Sequence, residues 1–418
     1  TNTKNMSTHP EKIIIIGAGL AGLVAAIHLE KAGHAPLILE ASDRVGGRVK
    51  TDQQDGFFLD HGFQVLLSAY PEAHRYLDFA KLDLRAFANG AIIFKDKHKF
   101  RIADPLRDPK QLLTMLASPI GTWKDKWLVF QLTRRLKRET PAALFQESTQ
   151  STLEYLQAYG FSRKMIEQFF RPFFGGIFLE QHLSTPAAMF RFVFRMFSVG
   201  KAVIPTRGME QIPQQLQAQL QQTTFRFGTT VKEVTGQQIS LEDGTVLPFD
   251  KLIIATDPAP MMPGLSNQQL SWQYTCNLYF RTSNSLLQDN AIALVADPDH
   301  PINNFCVLTD VAPAYAEKGH LVSVTLKEMP PENAGSAYYE KIAQALASLT
   351  GYTEAITFVR RYDIPKALPQ IQDLHFSLPA TQFRLTNDIY LAGDYLLNAS
   401  LDAAMRSGRL AAQALLSS

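Results

Sequence analysis

The feature that most constrains the fold is a glycine pattern near the start of the chain, set between a strand-like run and a helix-like run. Residues 12–16 are apolar and β-branched, which is typical of a strand buried on both faces, and residues 23–31 have a helical composition. A second strand-like run covers residues 36–40. Together these segments predict the βαβ unit that opens a doubly wound α/β fold. The residues of the pattern are Gly17, Ala18, Gly19, Leu20, Ala21 and Gly22.

Each glycine of this GxGxxG pattern has a physical reason. The first permits a tight turn, the second lets the backbone approach a pyrophosphate, and the third lets the helix pack closely on the strand. The N–H groups and the dipole at the helix N-terminus favour a bound phosphate. Glu40 ends the second strand, where its carboxylate can bind ribose hydroxyls. The unit therefore predicts a dinucleotide site and leaves NAD and FAD as alternatives.

The residues that follow Glu40 favour FAD. Ala41 leads into the sequence DRVGGR at 43–48, in which Gly46 and Gly47 allow the backbone to come close to a ligand. Arg48 can then meet a phosphate or a flavin oxygen.

With these motifs in place, residues 12–75 resemble the amino-terminal FAD module of the flavin-containing amine oxidase superfamily. This superfamily includes amine oxidases, protoporphyrinogen oxidases, carotenoid desaturases and carotenoid isomerases. The sequence AGHAPLILEA at 32–41 and the stretch at 60–71 are most similar to the phytoene and ζ-carotene desaturase branch. The resemblance implies that the segment Gly62, Phe63 and Gln64 approaches the flavin ring.

The carboxyl end and one middle segment resemble the same family. The stretch at 391–409 resembles the closing FAD motif, in which Gly393 and Asp394 contact ribityl or pyrophosphate-side groups. Ser400, Leu401 and Ala404 begin a helix whose N-terminus the resemblance places at the carbonyl end of the isoalloxazine. In the middle of the chain, the resemblance implies that the backbone of Val231 holds adenine and that Thr256 belongs to the same site. No cysteine follows Cys306, so we expect non-covalent FAD.

The separated blocks predict a discontinuous Rossmann-like FAD-binding domain and a substrate domain of mixed sheet and helices. We expect residues 1–75, 202–262 and 380–418 to form the FAD-binding domain. Residues 76–201 should form a helical substrate part, and residues 263–379 should form a sheet-containing substrate part.

Composition excludes several classes of protein. The chain has 418 residues and a net charge of +2, so it lacks the basic footprint of a nucleic-acid-binding protein. Two cysteines do not make a disulfide framework and favour a reducing compartment. The first ten residues are polar and do not resemble a secretory signal. We therefore expect a cytoplasmic protein without a metal site, and the sequence singles out no catalytic acid or base.

Three functional hypotheses follow. The first is a desaturase or isomerase of a carotenoid-like or other lipophilic isoprenoid, since residues 171–178 and Phe190, Phe192, Phe194 and Phe197 could form an aromatic wall. The second is an oxidase of amines or other small molecules that uses oxygen. Against it, no lysine lies between Lys251 and Lys318, where Thr275 takes the approximate place of the amine oxidase lysine. The third is a non-catalytic FAD-binding protein. For an enzyme, quinone and oxygen both remain as electron acceptors.

Residues 106–138 mix aromatic, aliphatic and basic side chains with only two acids, Asp108 and Asp125. Such a pattern is typical of an interfacial helix that meets anionic lipid. The alternative is a helix pair that packs on the core and exposes a basic face. Peripheral membrane contact is therefore a further hypothesis.

Overall fold

The computed structural model describes residues 11–96, 98–102, 118–146 and 150–418. The described chain divides into two compact units. Unit 1 is formed by the described residues up to Arg48, by Ile212–Ser271 and by Ser377–Ser418. Unit 2 is formed by the described residues of Val49–Gln211 and Trp272–Phe376.

The strands are numbered in chain order. They are β1 Ile13–Ile16, β2 Leu37–Leu39, β3 Thr51–Gln54, β4 Phe57–Asp60, β5 Leu66–Leu67, β6 Leu84–Ala86, β7 Ala91–Lys95, β8 His98–Ile102, β9 Ala202–Pro205, β10 Thr224–Arg226, β11 Val231–Thr235, β12 Gln238–Leu241, β13 Val246–Pro248, β14 Lys251–Ile254, β15 Trp272–Thr282, β16 Ile292–Val295, β17 Ile302–Val307, β18 His320–Leu326, β19 Thr357–Pro369 and β20 Ile389–Leu391.

The α-helices are numbered in the same way. They are α1 Leu20–Lys31, α2 Pro71–Tyr76, α3 Trp123–Arg138, α4 Thr152–Tyr159, α5 Arg163–Met165, α6 Arg171–Phe178, α7 Ala187–Val199, α8 Gln211–Gln217, α9 Leu308–Val311, α10 Ser336–Thr350 and α11 Leu401–Leu416. A π-helical turn, Ile166–Phe170, joins α5 to α6.

Unit 1 is built on a five-stranded parallel sheet in the order β10-β2-β1-β14-β20. Its strands are short and apolar because both faces are covered, and all four residues of β1 are buried. Helices α1 and α11 pack against each other. The antiparallel sheet β11-β12-β13 adds Val234, Ile239 and Leu241 to the same core.

Unit 2 contains a seven-stranded sheet in the order β19-β15-β18-β17-β16-β7-β8. Its pairs are antiparallel except for β16 and β7. One side of this sheet forms a core with Ile342 and Leu346 of α10. Helices α3 to α7 form the helical part of the unit, in which α3 packs on α7.

The predicted α/β class is confirmed, and so are most predicted elements. Helix α1 begins at Leu20, earlier than the predicted residue 23, because Gly19 serves as its N-cap and Gly22 is helical. Helix α11 has the predicted bounds. Residues 49–75 and 202–211 group with unit 2, whereas the prediction assigned them to the FAD-binding domain, and residues 263–271 and 377–379 group with unit 1, whereas the prediction assigned them to the substrate part. The part predicted as helical, 76–201, also contains strands β6, β7 and β8, because these residues pair with neighbouring strands of unit 2. The assignment of functions to the domains stays a prediction.

Candidate functional site: a dinucleotide cradle in unit 1 and a cavity in unit 2

The predicted cofactor residues of unit 1 follow the carboxyl ends of parallel strands. Strands β1, β2, β14 and β20 run in one direction, so the loops that follow them lie at one edge of the sheet. In open α/β sheets, ligands bind in the crevice at this edge. The residues that follow these strands are Gly17, Glu40, Thr256, Gly393 and Asp394.

The glycine loop after β1 requires its glycines at two positions. Gly17 has a φ of +100°, and a Cβ there would lie 3.1 Å from the carbonyl oxygen of Ala255. A Cβ on Gly22 would lie 2.0 Å from the carbonyl oxygen of Gly17, so only glycine fits. A Cβ on Gly19 would meet no atom within 4 Å, and no side chain caps the helix that starts after it. The loop therefore leaves space for a phosphate at the N-terminus of α1. Ala18, Leu20 and Ala21 are buried.

Glu40 is buried and holds the glycine loop. Its Oε2 accepts a hydrogen bond from the backbone N–H of Ala18 at 2.7 Å, and its Oε1 accepts from the N–H and Oγ of Ser42 at 2.9 and 2.7 Å. An ionised carboxylate has about four acceptor sites. The protein itself uses three of them. About one acceptor site therefore remains for ribose hydroxyls, fewer than the two hydrogen bonds that the motif position of Glu40 suggests.

The segment after β2 returns to the glycine loop. The N–H of Gly46 donates to the carbonyl oxygen of Ala18 at 2.9 Å. Gly47 has a φ of +61°, and a Cβ on it would lie 3.3 Å from the Cα of Gly19. Arg48 forms an ion pair with the buried Asp394, with 2.5 Å between Nη2 and Oδ1. The structure thus brings Arg48 and Asp394 together, whereas the sequence predicted separate contacts of each to the cofactor. Ala41 is exposed.

The closing motif forms a second helix start. The N–H of Gly393 donates to Oγ of Ser407 at 2.8 Å, and a Cβ on Gly393 would collide with the ring of Tyr395. Ser400 is the N-cap of α11, and its Oγ accepts a hydrogen bond from the N–H of Ala403. The first turn of α11 contains the other two predicted residues, Leu401 and Ala404.

The two middle residues also lie in unit 1. Val231 is the first residue of β11, and the register of β11 against β12 is irregular next to it. The Cβ of Thr256 lies 3.7 Å from the position that a Cβ on Gly17 would take. The glycine cradle, the uncapped helix start and the acids beside them fit a dinucleotide such as FAD, while the roles of individual residues stay predictions.

Gly62, Phe63 and Gln64 lie in unit 2, directly after β4. Gly62 has a φ of +90°, and a Cβ on it would lie 2.8 Å from Cδ1 of Ile364. Phe63 contacts Phe87 edge to face. The segment is therefore fixed by packing within its own unit, and its approach to the flavin stays a prediction.

A buried carboxylate that the sequence did not single out anchors this segment. Asp60 accepts hydrogen bonds from Oγ1 of Thr51 at 2.6 Å, from the N–H of Met209 at 2.9 Å and from the hydroxyl of Tyr315 at 2.8 Å. Burial, with a smaller contribution from the charge of Glu210, raises the pKa of Asp60 to about 6. Its partners are far apart in the chain, so no local pattern reveals the cluster.

Unit 2 contains a cavity of about 400 Å³ whose walls are mainly apolar and aromatic. It lies among α3, α6 and α7 and the residues around Phe87 and Ala202. Four phenylalanines of the predicted aromatic wall line it: Phe173, Phe174, Phe194 and Phe197. Phe190 and Phe192 are instead buried in the helical core. The cavity has the size and apolar character of a small-molecule site.

Helix α3 has two different faces. Asp125, Leu128, Leu132 and Leu136 face the core. Trp123, Trp127 and Phe130 line the cavity and are also 68%, 57% and 38% exposed, so the cavity reaches the surface beside them. Residues 106–117 of the predicted membrane segment lie outside the described residues. In the described parts of the chain, no helix has the length and apolar character needed to cross a membrane.

Both cysteines are buried and free. Burial raises the pKa of Cys276 to about 12 and that of Cys306 further still, so neither thiol is a ready nucleophile. Across the described ranges, no group of three or more His, Cys, Asp and Glu side chains could hold a metal ion.

Comparisons with known proteins identify relatives of this chain. The family model of flavin containing amine oxidoreductases matches residues 20–416. Protoporphyrinogen oxidase 2 of Arabidopsis thaliana is 26% identical over 166 residues, which are 40% of this chain and 32% of that enzyme. An L-amino acid oxidase of Bothrops pictus is 32% identical over 174 residues, which are 38% of this chain and 34% of that enzyme. The chain thus matches about a third of the length of these relatives.

Solved structures share the fold across nearly the whole chain. An oxidoreductase from Methanosarcina mazei has a TM-score of 0.70 at 16% identity and covers 97% of this chain and 100% of its own. Putrescine oxidase bound to putrescine has a TM-score of 0.68 at 16% identity, with 98% and 100% covered. The chain belongs to the flavin-containing amine oxidoreductase family. This membership supports the predicted FAD cofactor and oxidoreductase class, while the place of the chain in the desaturase branch stays a prediction.

Proposed function

We propose that the protein oxidises or isomerises a lipophilic small molecule, of carotenoid-like or other isoprenoid character, with FAD in unit 1 and the substrate in the unit 2 cavity. The observation that carries this proposal is the aromatic lining of the cavity. An apolar ligand gains about 25 cal/mol for each Å² of surface that it removes from water. Bound FAD supplies the hydride acceptor, whereas the chain binds and orients the reactants and excludes water.

For the cofactor, we propose that the loop from Gly17 to Gly22 binds the pyrophosphate and Glu40 the ribose. The ion pair of Arg48 with Asp394 holds the two ends of the cofactor site together. Val231, Thr256 and the first turn of α11 complete the site in this proposal. The electron acceptor is a quinone or oxygen.

A substrate dissolved in a bilayer requires an entrance at the membrane surface. The aromatic side chains of α3 support such an entrance, because Trp123, Trp127 and Phe130 recur at helical spacing beside the cavity. Arg134 and Arg138 follow on the exposed part of the same helix, where they can meet anionic headgroups. Flotation with liposomes tests this contact. Binding should require anionic lipid, weaken with salt and fall in the variant with Trp123, Trp127 and Phe130 changed to Ser. Protein that stays at the bottom of the gradient at low salt would contradict it.

Anaerobic reduction of the flavin tests the reaction itself. The holoprotein is mixed with isoprenoid lipids, with putrescine or with L-amino acids, and the loss of flavin absorbance is followed. Two results would support the proposal: bleaching by an isoprenoid together with an oxidised product found by mass analysis, or an isomerised product found by chromatography without net reduction of the flavin. Bleaching by amines alone would replace the proposal with an amine oxidase. A flavin that none of these compounds reduces, with no isoprenoid isomer formed, would contradict the proposal.

A further inference from the structure

The strand order of unit 1 locates the point where its ligand crevice opens. From β1 the chain passes to β2 on one side of the sheet, whereas β14 and β20 lie on the other side of β1. In doubly wound sheets the ligand binds at such a topological switch point, outside the carboxyl ends of the strands. The loops that follow β1 and β14 therefore form the two walls of the crevice, and the loop that follows β20 adjoins the β14 wall.

Tyr395 connects the loops that follow β14 and β20, although the sequence did not identify it as a cofactor residue. Its hydroxyl donates a hydrogen bond to the carbonyl oxygen of Thr256 at 3.4 Å. Its ring lies against the backbone of Gly393, because a Cβ on that glycine would lie 2.3 Å from Cε1 of the ring. The side chain is thus held beside two residues that the sequence assigned to the cofactor.

The hydrogen bond of the Tyr395 hydroxyl is a long one. Bonds between a hydroxyl and an oxygen acceptor are commonly about 2.7–2.8 Å long. Within the described ranges, the carbonyl of Thr256 is the acceptor that the hydroxyl reaches. The side chain is half-buried, so a ligand at this edge of the sheet can reach it. A better-placed acceptor on the ligand would therefore improve the hydrogen bonding of this hydroxyl.

The charges around the hydroxyl indicate which part of FAD it meets. Burial and the charges of Asp257 and Asp394 raise the pKa of Tyr395, so the hydroxyl keeps its proton and donates. Acids beside the hydroxyl disfavour a phosphate there, since like charges repel. The pyrophosphate has its proposed place at the N-terminus of α1, and the ribose has its proposed place at Glu40. The ribityl chain, which carries neutral hydroxyls, is the part that remains.

We propose that Tyr395 donates a hydrogen bond to a hydroxyl of the ribityl chain of FAD and so holds the cofactor on the β20 side of the crevice. This inference rests on the proposed place of FAD in unit 1 and adds a residue to it. The contact between the ring and Gly393 orients the hydroxyl before the cofactor binds, which reduces the entropy lost on binding.

Tyr395→Phe tests the hydroxyl, because it keeps the ring against Gly393. The apoprotein is titrated with FAD and with an analogue in which a pentyl chain replaces the ribityl chain, and flavin fluorescence reports both. The affinity for FAD should fall about twofold to about tenfold, as expected for one lost hydrogen bond between neutral groups. The affinity for the analogue should be equal in the two proteins. The melting temperature of the apoprotein should be nearly unchanged, since the bond to Thr256 is long.

Tyr390→Phe is the matched control. The hydroxyl of Tyr390 also donates a long hydrogen bond to a carbonyl, that of Asn387, at 3.3 Å. Asn387 precedes β20, so this bond lies at the amino end of the strand, away from the crevice. Removal of this hydroxyl should leave the affinity for FAD unchanged.

Three results would overturn the inference. Unchanged FAD affinity in Tyr395→Phe would show that the hydroxyl does not contact the cofactor. An equal loss of affinity for FAD and for the pentyl analogue would show that the contact is not with the ribityl hydroxyls. An equal loss in Tyr390→Phe would show a general effect on unit 1. If the unmodified protein binds no FAD, the proposed function fails as well, whereas the other three results leave it standing.

Discussion

At the scale of single residues, Glu40 should contribute both to cofactor binding and to the stability of the glycine loop. Glu40→Ala removes the acceptors of the Ala18 and Ser42 N–H groups, and the Ala18 N–H belongs to the glycine loop. Because hydrogen bonds to a charged group contribute about 1.5–3 kcal/mol, FAD affinity should fall by about one to two decades. Fluorescence titration of the apoprotein with FAD measures this loss.

The same change should lower the stability of the protein without cofactor. The melting temperature of the apoprotein should fall, because the carboxylate holds the loop before any ligand binds. Glu40→Gln should have an intermediate effect, since the amide retains one acceptor oxygen. Unchanged FAD affinity in Glu40→Ala would show that the loop keeps its shape without the carboxylate and that ribose contacts are unimportant.

Asp60 should make stability depend on pH. Its folded-state pKa of about 6 lies above the ordinary aspartate value of 3.8, so the folded protein binds the proton more tightly than the unfolded chain. The resulting stabilisation is complete below pH 3.8 and is lost as the pH rises through 6. A pKa shift of this size corresponds to about 3 kcal/mol in the free energy of unfolding.

Asp60→Asn should remove this dependence, because the amide keeps one acceptor oxygen and never ionises. Thermal unfolding of both proteins between pH 4 and pH 7 provides the comparison. The stability of the variant relative to the unmodified protein should rise across this interval. A difference that stays constant would mean that Asp60 does not titrate there.

These two acids show what a sequence reveals at this scale. Glu40 could be identified because its role follows from its distance to a glycine pattern. Asp60 could not, because two of its three partners, Met209 and Tyr315, come from segments far away in the chain. Only the fold brings them together.

At the scale of elements, α3 depends on one capping residue. Asp125 forms a capping box with Thr122 and also binds Ser162, so it fixes the helix to the segment before α5. Burial opposes ionisation of Asp125, but these hydrogen bonds together outweigh it and lower the pKa of the carboxyl. They therefore stabilise the fold at pH values above the unfolded pKa of the carboxyl. Asp125→Ala should lower the free energy of unfolding by about 2–4 kcal/mol, because it removes a helix cap and leaves buried donors without acceptors.

The chain offers a matched control for this change. Ser151 and Glu154 form the same capping box on α4, but there the box is exposed. Glu154→Ala should therefore lower the free energy of unfolding by no more than about 1 kcal/mol. Calorimetry on both variants measures the difference, and equal losses would refute the structural role assigned to Asp125.

The amphipathic pattern of α3 was visible in the sequence, but the sequence did not show what each face of the helix contacts. Trp, Leu and Lys at helical spacing predict an amphipathic helix without indicating which apolar residues are buried. In the structure the leucines face the core and the tryptophans line the cavity. Helix α1 was easier, because Gly33 marks its end, although its start was predicted three residues too late.

At the scale of the whole molecule, helices α1 and α11, which are far apart in the sequence, meet in unit 1. A Cβ on Gly408 of α11 would lie 2.1 Å from the carbonyl oxygen of Ala21 in α1. Helix propensity alone favours alanine over glycine by about 1 kcal/mol. We nevertheless expect Gly408→Ala to destabilise the protein, because this clash involves backbone atoms that cannot move away cheaply.

Gly264→Ala is the control, since a Cβ there meets nothing within 4 Å. Thermal unfolding and FAD content should be nearly unchanged in this variant and reduced in Gly408→Ala. A stabilised Gly408→Ala protein would mean that the two helices separate easily.

The sequence predicted that unit 1 is assembled from separate segments, since both end motifs resemble one family. It misplaced the points where the chain passes between units, which lie after Arg48, Gln211, Ser271 and Phe376. Residues 49–75 follow the cofactor motifs directly, yet β4 and β5 pair with strands of unit 2. Such boundaries depend on long-range pairing, which local patterns do not encode.

The parallel sheet of unit 1 has a consequence for synthesis of the protein on the ribosome. Its middle strand, β1, lies between β2 and β14, and the last strand to join, β20, is translated more than 370 residues after β1. The surroundings of the glycine loop are therefore incomplete until β20 and α11 have been synthesised, which is after most of unit 2 has emerged. A nascent chain in this interval exposes the apolar face of α1 and an unpaired edge of the sheet, which are targets for chaperones and for aggregation. Cofactor insertion is thus a late event, set by the synthesis of β20 and α11 and not by the early appearance of the binding motif.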